Sequence, residues 1–224
     1  MKPFKPPPAP VTRGLLIACI LVQVAETIGG SAFGEMLTLR AALIPARLSG
    51  AVAGVPGSVP ALLTLVTSLF LHAGWLHLTL NLVFLAWVGK YCEWALGRWR
   101  FAALYLLAGL AGGILQYLVA PTSVMPVVGA SGAIAGVFGA YAVLFAGSQL
   151  EARTVFGVQV SAETLTAAWY AAAWIGLQLL TSVAFNSGPI GGGLLGQGVA
   201  IWAHIGGFVT GLLFAQPFAR QPEI

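Results

Sequence analysis

The chain of 224 residues contains no aspartate, and only 7% of its residues are charged. An average soluble domain carries about 25%. So few charges cannot cover a surface that faces water, which excludes an ordinary soluble domain. The missing aspartate excludes an aspartyl protease. Cysteine is scarce too: Cys19 and Cys92 lie in or beside apolar runs with neither metal nor redox spacing, so there is no disulfide framework. No basic arm alternates with aromatics, and nucleic acid is therefore not an expected partner. His72 and His77 stand five apart with no glutamate between them, unlike the H-E-x-x-H zinc pattern. No metal or cofactor is expected.

What is abundant is apolar: 58% of residues are hydrophobic. The pattern predicts an all-α, polytopic membrane protein with six transmembrane helices. The first apolar segment runs from Gly14 to about Gly30 behind a Pro-rich basic tail, residues 1–13. Its basic flank and short run resemble a signal peptide. Retaining it gives an even number of spans that agrees with the charges. Residues 31–71 are broken by Gly and Pro and read as a long connection with a short interfacial helix. Five more segments follow, at roughly Trp75–Leu96, Phe101–Ala120, Ser131–Ser148, Thr164–Phe185 and Val199–Pro217. Each approaches the ~20 residues that cross a hydrocarbon core of about 30 Å. The membrane domain is thus expected over 14–217, with 218–224 as a second tail.

Orientation follows from Lys and Arg. With the N-terminus inside, eight of the ten basic residues are internal, and only Arg40 and Arg47 are external. Both termini are expected in the cytoplasm. Gly, Ala and Arg usage without organelle signals points to a bacterial inner membrane.

This orientation makes helices 2, 4 and 6 parallel, each running from outside to inside, with scarce polar groups near their starts. Helix 2 carries His72, His77 and Asn81; helix 4 begins at Ser131; helix 6 carries His204. Counted back from the inner ends, His77, His204 and Ser131 lie about 24, 20 and 27 Å up the helix axis. All three reach the outer third of the core. Polar groups at such depth face the bundle interior or a water-filled cavity.

A serine becomes a nucleophile beside a base, and histidine is the usual one. The backbone amides at the start of helix 4, with His77 and Asn81, are candidate donors to an oxyanion. Glu93 lies 12 residues beyond Asn81, about 18 Å down the axis. The constellation therefore predicts a Ser–His dyad without a third acid. Glu93 is expected to cap or pair near Arg98, and His72 to bond the first loop. The competing reading of "GASG" is packing: Gly132, Gly136 and Ala140, like Gly207 and Gly211, recur every four residues, as in small-xxx-small contacts. That packing would bring Ser131 and His204 within reach. The run from Gly188 to Gly198 reads as a connector or a mobile cap.

From Thr67 to Ala215 these elements resemble the rhomboid family of intramembrane serine proteases. "HAGWLHLTLN" resembles its H-x4-H-x3-N element at His72, His77 and Asn81, followed by a passage with Glu93 and Gly97. "GASG" matches the nucleophile motif at Gly129, Ser131 and Gly132, and "AHIGGFVTG" matches H-x2-G-x3-G at His204, Gly207 and Gly211. The resemblance implies Ser131 as nucleophile and His204 as general base. It implies an oxyanion and substrate-binding set of His77, Asn81, Gly129, Gly132 and the Ser131 amide. The implied substrates are transmembrane segments of other membrane proteins, met in lipid and cut near the outer face. Two positions depart from the family pattern. Thr64 stands near the place of a Trp-Arg arginine in the first loop, and Ala135 replaces an aromatic four residues after the nucleophile. Two other functions fit parts of the pattern: a catalytically silent rhomboid-like protein that binds membrane clients, and a small transporter. The histidines at one outer level and the lack of inverted repeats argue against the transporter.

Overall fold

The computed structural model describes residues 8–145, 153–155, 158–162, 164–166, 168–170, 172 and 200–219. Its helices are α1 (Pro10–Ala41), α2 (Pro45–Leu48), α3 (Thr64–Thr67), α4 (Trp75–Leu96), α5 (Arg98–Val119), α6 (Ser131–Phe145) and α7 (Ile201–Phe218), with 3-10 turns at Ala61–Leu63 and Ser68–Phe70. Strands β1 (Arg153–Val155) and β2 (Val158–Val160) form one antiparallel pair.

The bundle has an apolar outside. Leu21, Val83, Leu118 and Leu213 are each more than 60% exposed, which is unfavourable in water and natural in lipid. Among the described residues, α1, α5 and α7 are long and apolar enough to cross a membrane. A fourth span is added if Ala61–Phe70 and Trp75–Leu96, bent by 81°, count as one. The expected six is therefore not reached within the described residues. α6 is only 15 residues long, and most of the expected Thr164–Phe185 segment and all of Gly188–Gly198 lie outside them.

Two boundaries differ from expectation for a traceable reason. The first helix begins at Pro10, inside the expected tail, because the Glu93 carboxylate accepts the Val11 and Thr12 amides at 3.0 and 2.8 Å and the Thr12 hydroxyl at 2.8 Å. A carboxylate holding the first amides of a helix satisfies orphan donors and complements the helix dipole. Glu93 thus caps, as expected, but the helix it caps is α1, which it ties to α4. The helix also continues past its expected end to Ala41, with a break at Gly30, where φ is +79°.

α6 begins at Ser131, as expected, and the chain before it is largely extended. Extended backbone at membrane depth must find partners within the protein. The first long connection supplies them: Leu43 and Val127 exchange two hydrogen bonds at 3.2 and 2.8 Å, the Ala46 amide donates to Ser123, and the Gly129 amide donates to the Ser68 carbonyl at 2.9 Å. That connection is itself held by its arginines. Arg47 donates to the Val59 carbonyl at 2.7 Å and Arg40 to the Pro56 carbonyl at 3.0 Å. The buried Thr64 hydroxyl donates to the Ala61 carbonyl, three residues back within the same connection. Anchoring thus falls to Arg40 and Arg47, the two basic residues that stand apart from the inside set.

The centre of the bundle is the meeting of α5, α6 and α7. An added Cβ at Gly207 would fall 1.9 Å from the Gly132 carbonyl oxygen, and one at Gly211 would fall 1.9 Å from that of Gly136. The Gly112 position is similarly close, at 2.3 Å, to the Ala203 carbonyl. Only glycine permits backbones this near, and each approach brings a Cα–H toward a carbonyl, a contact worth about 0.5–1 kcal/mol. The expected small-residue contact of α6 with α7 is present, and α5 joins it through Ala108, Gly109 and Gly112.

Gly211→Ala is expected to force α6 and α7 apart and to destabilise the protein by about 1–3 kcal/mol. The measurement is thermal unfolding in detergent, where the midpoint should fall by several degrees. Gly14→Ala, inside α1 and with a new methyl that meets nothing within 4 Å, should not lower it.

Candidate active site

Three elements deliver polar groups to one place. Ser131 is the first residue of α6 and is half-buried; His204 lies in the first turn of α7 and is buried. Ser131 Oγ and His204 Nε2 are 2.6 Å apart, although 73 residues separate them in the chain. Their backbones are placed by glycine packing. Carbons added at Gly112 of α5 and Gly132 of α6 would both approach the Ala203 carbonyl, at 2.3 and 3.2 Å. The residue preceding His204 is thus gripped from two sides. This positions the histidine backbone with alanine at 135.

His77 and Asn81 sit one turn apart on α4. The Ala73 amide donates to His77 Nδ1 at 3.2 Å. A neutral imidazole that accepts at Nδ1 carries its proton on Nε2, so Nε2–H is a donor. That nitrogen faces Gly129: a Cβ there would lie 2.7 Å from His77 Cε1, 2.9 Å from Nε2 and 3.6 Å from Ser131 Oγ. Gly129 has φ +119°, so both its conformation and the ring against it require glycine. Asn81 is buried, and its Nδ2 donates to the His77 carbonyl at 3.0 Å, leaving a second N–H. Ala130 caps α6 by accepting the Ile134 amide at 2.9 Å. The amides of Ser131, Gly132 and Ala133 therefore have no intrahelical acceptor.

Among the sequence-nominated groups, Ser131, His204, His77 and Gly129 meet at one place, with Gly132 just behind it against Ala203; Asn81 lies one turn along α4 from His77, with its amide on the His77 carbonyl. His72 bonds the Phe70 carbonyl at 3.3 Å, as expected of a loop-bonding residue, and its ring packs edge-on to His77 at 5.2 Å. Sequence reasoning missed Ser68, which holds Gly129 through its carbonyl, and Ala73, which sets the His77 tautomer. Both act through backbone atoms, which leave no side-chain signature. It also missed Arg47, for which a signal existed: an arginine on the outer side needs a local reason.

A serine hydroxyl against an imidazole, at the start of a helix buried in the bundle, is an arrangement that can support acyl transfer. Residues 59–221 match the Rhomboid domain family, and the chain belongs to the rhomboid family. It is a multi-pass, helical integral membrane protein. It is similar to rhomboid-like protein 11, chloroplastic, of Arabidopsis thaliana, with 32% identity over 73% of this chain and 55% of that one. It is also similar to rhomboid-like protease 5 of Toxoplasma gondii, with 32% identity over 66% of this chain and 15% of that one. A third relative is rhomboid-related protein 1 of Caenorhabditis elegans, with 33% identity over 65% and 37%. The chain thus spans between 15% and 55% of the length of these relatives.

Gly129→Ala is expected to displace the His77 ring and lower the unfolding midpoint by a few degrees. Imidazole nitrogen chemical shifts, compared between wild type and variant, would report the displacement.

Proposed function

We propose that this protein is an intramembrane serine endopeptidase that hydrolyses peptide bonds in or near transmembrane segments of other membrane proteins. The observation that carries the reading is the 2.6 Å contact of Ser131 Oγ with His204 Nε2. In the proposed reaction the Ser131 hydroxyl donates its proton to His204 Nε2 as Oγ attacks the scissile carbonyl carbon. The carbonyl oxygen becomes an oxyanion that accepts from His77 Nε2–H, the second Asn81 N–H and the Ser131 amide. Collapse breaks the C–N bond, and the imidazolium returns its proton to the leaving nitrogen. Water, activated by the same imidazole, then adds to the acyl-enzyme and releases Ser131. No third acid is required by this scheme: Glu93 is engaged by α1.

The reading places the catalytic unit between Pro10 and Phe218, both termini in the cytoplasm and the dyad toward the outer face, following the charge asymmetry. Relatives include chloroplastic and mitochondrial proteins as well as one from Bacillus subtilis, so they do not single out a bacterial inner membrane, and it is not carried into the proposal.

Ser131→Ala is expected to abolish labelling by a fluorophosphonate in detergent; a labelled variant would remove Ser131 as nucleophile. His204→Ala should reduce cleavage of a reconstituted transmembrane substrate by at least about 1,000-fold with folding retained. Asn81→Ala should lose less, about tenfold to a hundredfold, because other donors remain. A well-folded wild-type protein that neither labels nor cleaves would favour the client-binding alternative.

A further inference from the structure

A pocket of about 390 Å³ opens between α1 and the loop that leads into α4, away from the dyad. Its polar lining is strongly one-sided. Two of the chain's six carboxylates, Glu26 and Glu35, border it. Gln23 and His72 form its inner wall, and each is only 6% exposed. The Gln23 amide nitrogen donates to Glu26 at 3.2 Å, so the amide oxygen is the free end, and it has no hydrogen-bond partner. His72 bonds a carbonyl through Nδ1, so Nδ1 carries the proton and Nε2 is an acceptor, also without a partner. The Thr27 hydroxyl is engaged by the Gln23 carbonyl at 2.8 Å. Among the described residues, no cationic side chain lines the pocket.

Buried acceptors without donors are costly. Two of them beside two carboxylates define a site for a group that is positive and rich in N–H. The room is there. Carbons added at Gly30, Gly34 and Gly74 would meet nothing within 4 Å, and Gly30, with φ +79°, breaks α1 at this level. The position relates the pocket to the chemistry. The His72 ring lies 5.2 Å from that of His77, whose Nε2 faces Gly129 next to Ser131. An extended chain advances about 3.3 Å per residue, so a side chain about three or four positions from a bond held at Ser131 reaches a pocket that begins one ring beyond His77.

We propose that this pocket is a specificity subsite that receives a lysine or arginine side chain from the outer flank of the substrate's transmembrane segment. The proposal rests on the endopeptidase reading above. Basic residues are scarce on outer flanks, so such a site discriminates strongly among membrane proteins.

The test has two arms. In the first, arginine amide is titrated into the Ser131→Ala protein in detergent, with glutamine amide as control. Saturable binding of arginine amide alone is expected, weakened about tenfold or more in E26Q/E35Q. No saturable binding, or binding unchanged by the double substitution, overturns the proposal whether or not the protein is a protease. In the second arm, one arginine is scanned along the outer flank of a transmembrane substrate, against glutamine at the same position. Wild type is expected to favour arginine about tenfold in kcat/KM at one position, and E26Q/E35Q to lose that preference. A preference absent from wild type, or retained in the variant, sinks the subsite. Ser131 labelling reports the catalytic reading separately, so labelling with no arginine preference removes the subsite alone.

Discussion

The backbone-to-backbone contact of α6 with α7 is the constraint on which the rest depends. In lipid there is no hydrophobic force to press helices together, so association relies on packing and close approach. Here the approach runs through Gly132, Gly136, Gly207 and Gly211, whose missing Cβ atoms would otherwise fall on facing carbonyls or side chains. Ser131 adjoins the first of these glycines, and His204 precedes Gly207 by less than one turn. The 2.6 Å separation of hydroxyl and imidazole is therefore a property of two backbones. Widening the interface by about 1 Å would take the pair beyond hydrogen-bond range. α5 reinforces the arrangement, because Gly112 meets the same Ala203 carbonyl that Gly132 approaches.

A second constraint makes the site possible. A serine at a helix start has desolvated free amides beside it only if that start lies inside the protein. That requires extended chain at membrane depth, and extended chain there must be hydrogen-bonded by protein. The first long connection meets the requirement through Leu43, Ala46 and Ser68, and Arg40 and Arg47 hold that connection by its own carbonyls. The irregular region is thus a structural lid edge for α6, and it also carries the His72–Ala73 turn that sets the tautomer of His77. Site and loop are one hydrogen-bonded unit.

Much of this was legible in residue order. α4 spans the predicted Trp75–Leu96, and α6 begins at the predicted Ser131, because glycine at 74 and 129 and long apolar runs punctuate the chain clearly. The convergence of Ser131, His77 and His204 followed from counting residues at a fixed rise per residue. What was less legible involved contacts that have no periodicity. Glu93 read as an inner-end cap, but residue order did not show that the helix it caps is α1, at Val11 and Thr12. The first helix looked finished at Gly30 and continues beyond a break. Arg47 looked like an exception to a charge rule and is an anchor.

The sequence alone determined that the chain is a helical membrane protein, which residues carry reactive or polar groups, and their approximate depth, because composition and helical rise act locally and additively. Only the tertiary structure decided which groups touch: the azimuth of each helix, the tautomer of His77, and the pocket of unsatisfied acceptors at Gln23 and His72. Those depend on where backbones from distant segments meet, and one-dimensional order does not encode rotation about a helix axis until its neighbours are in place.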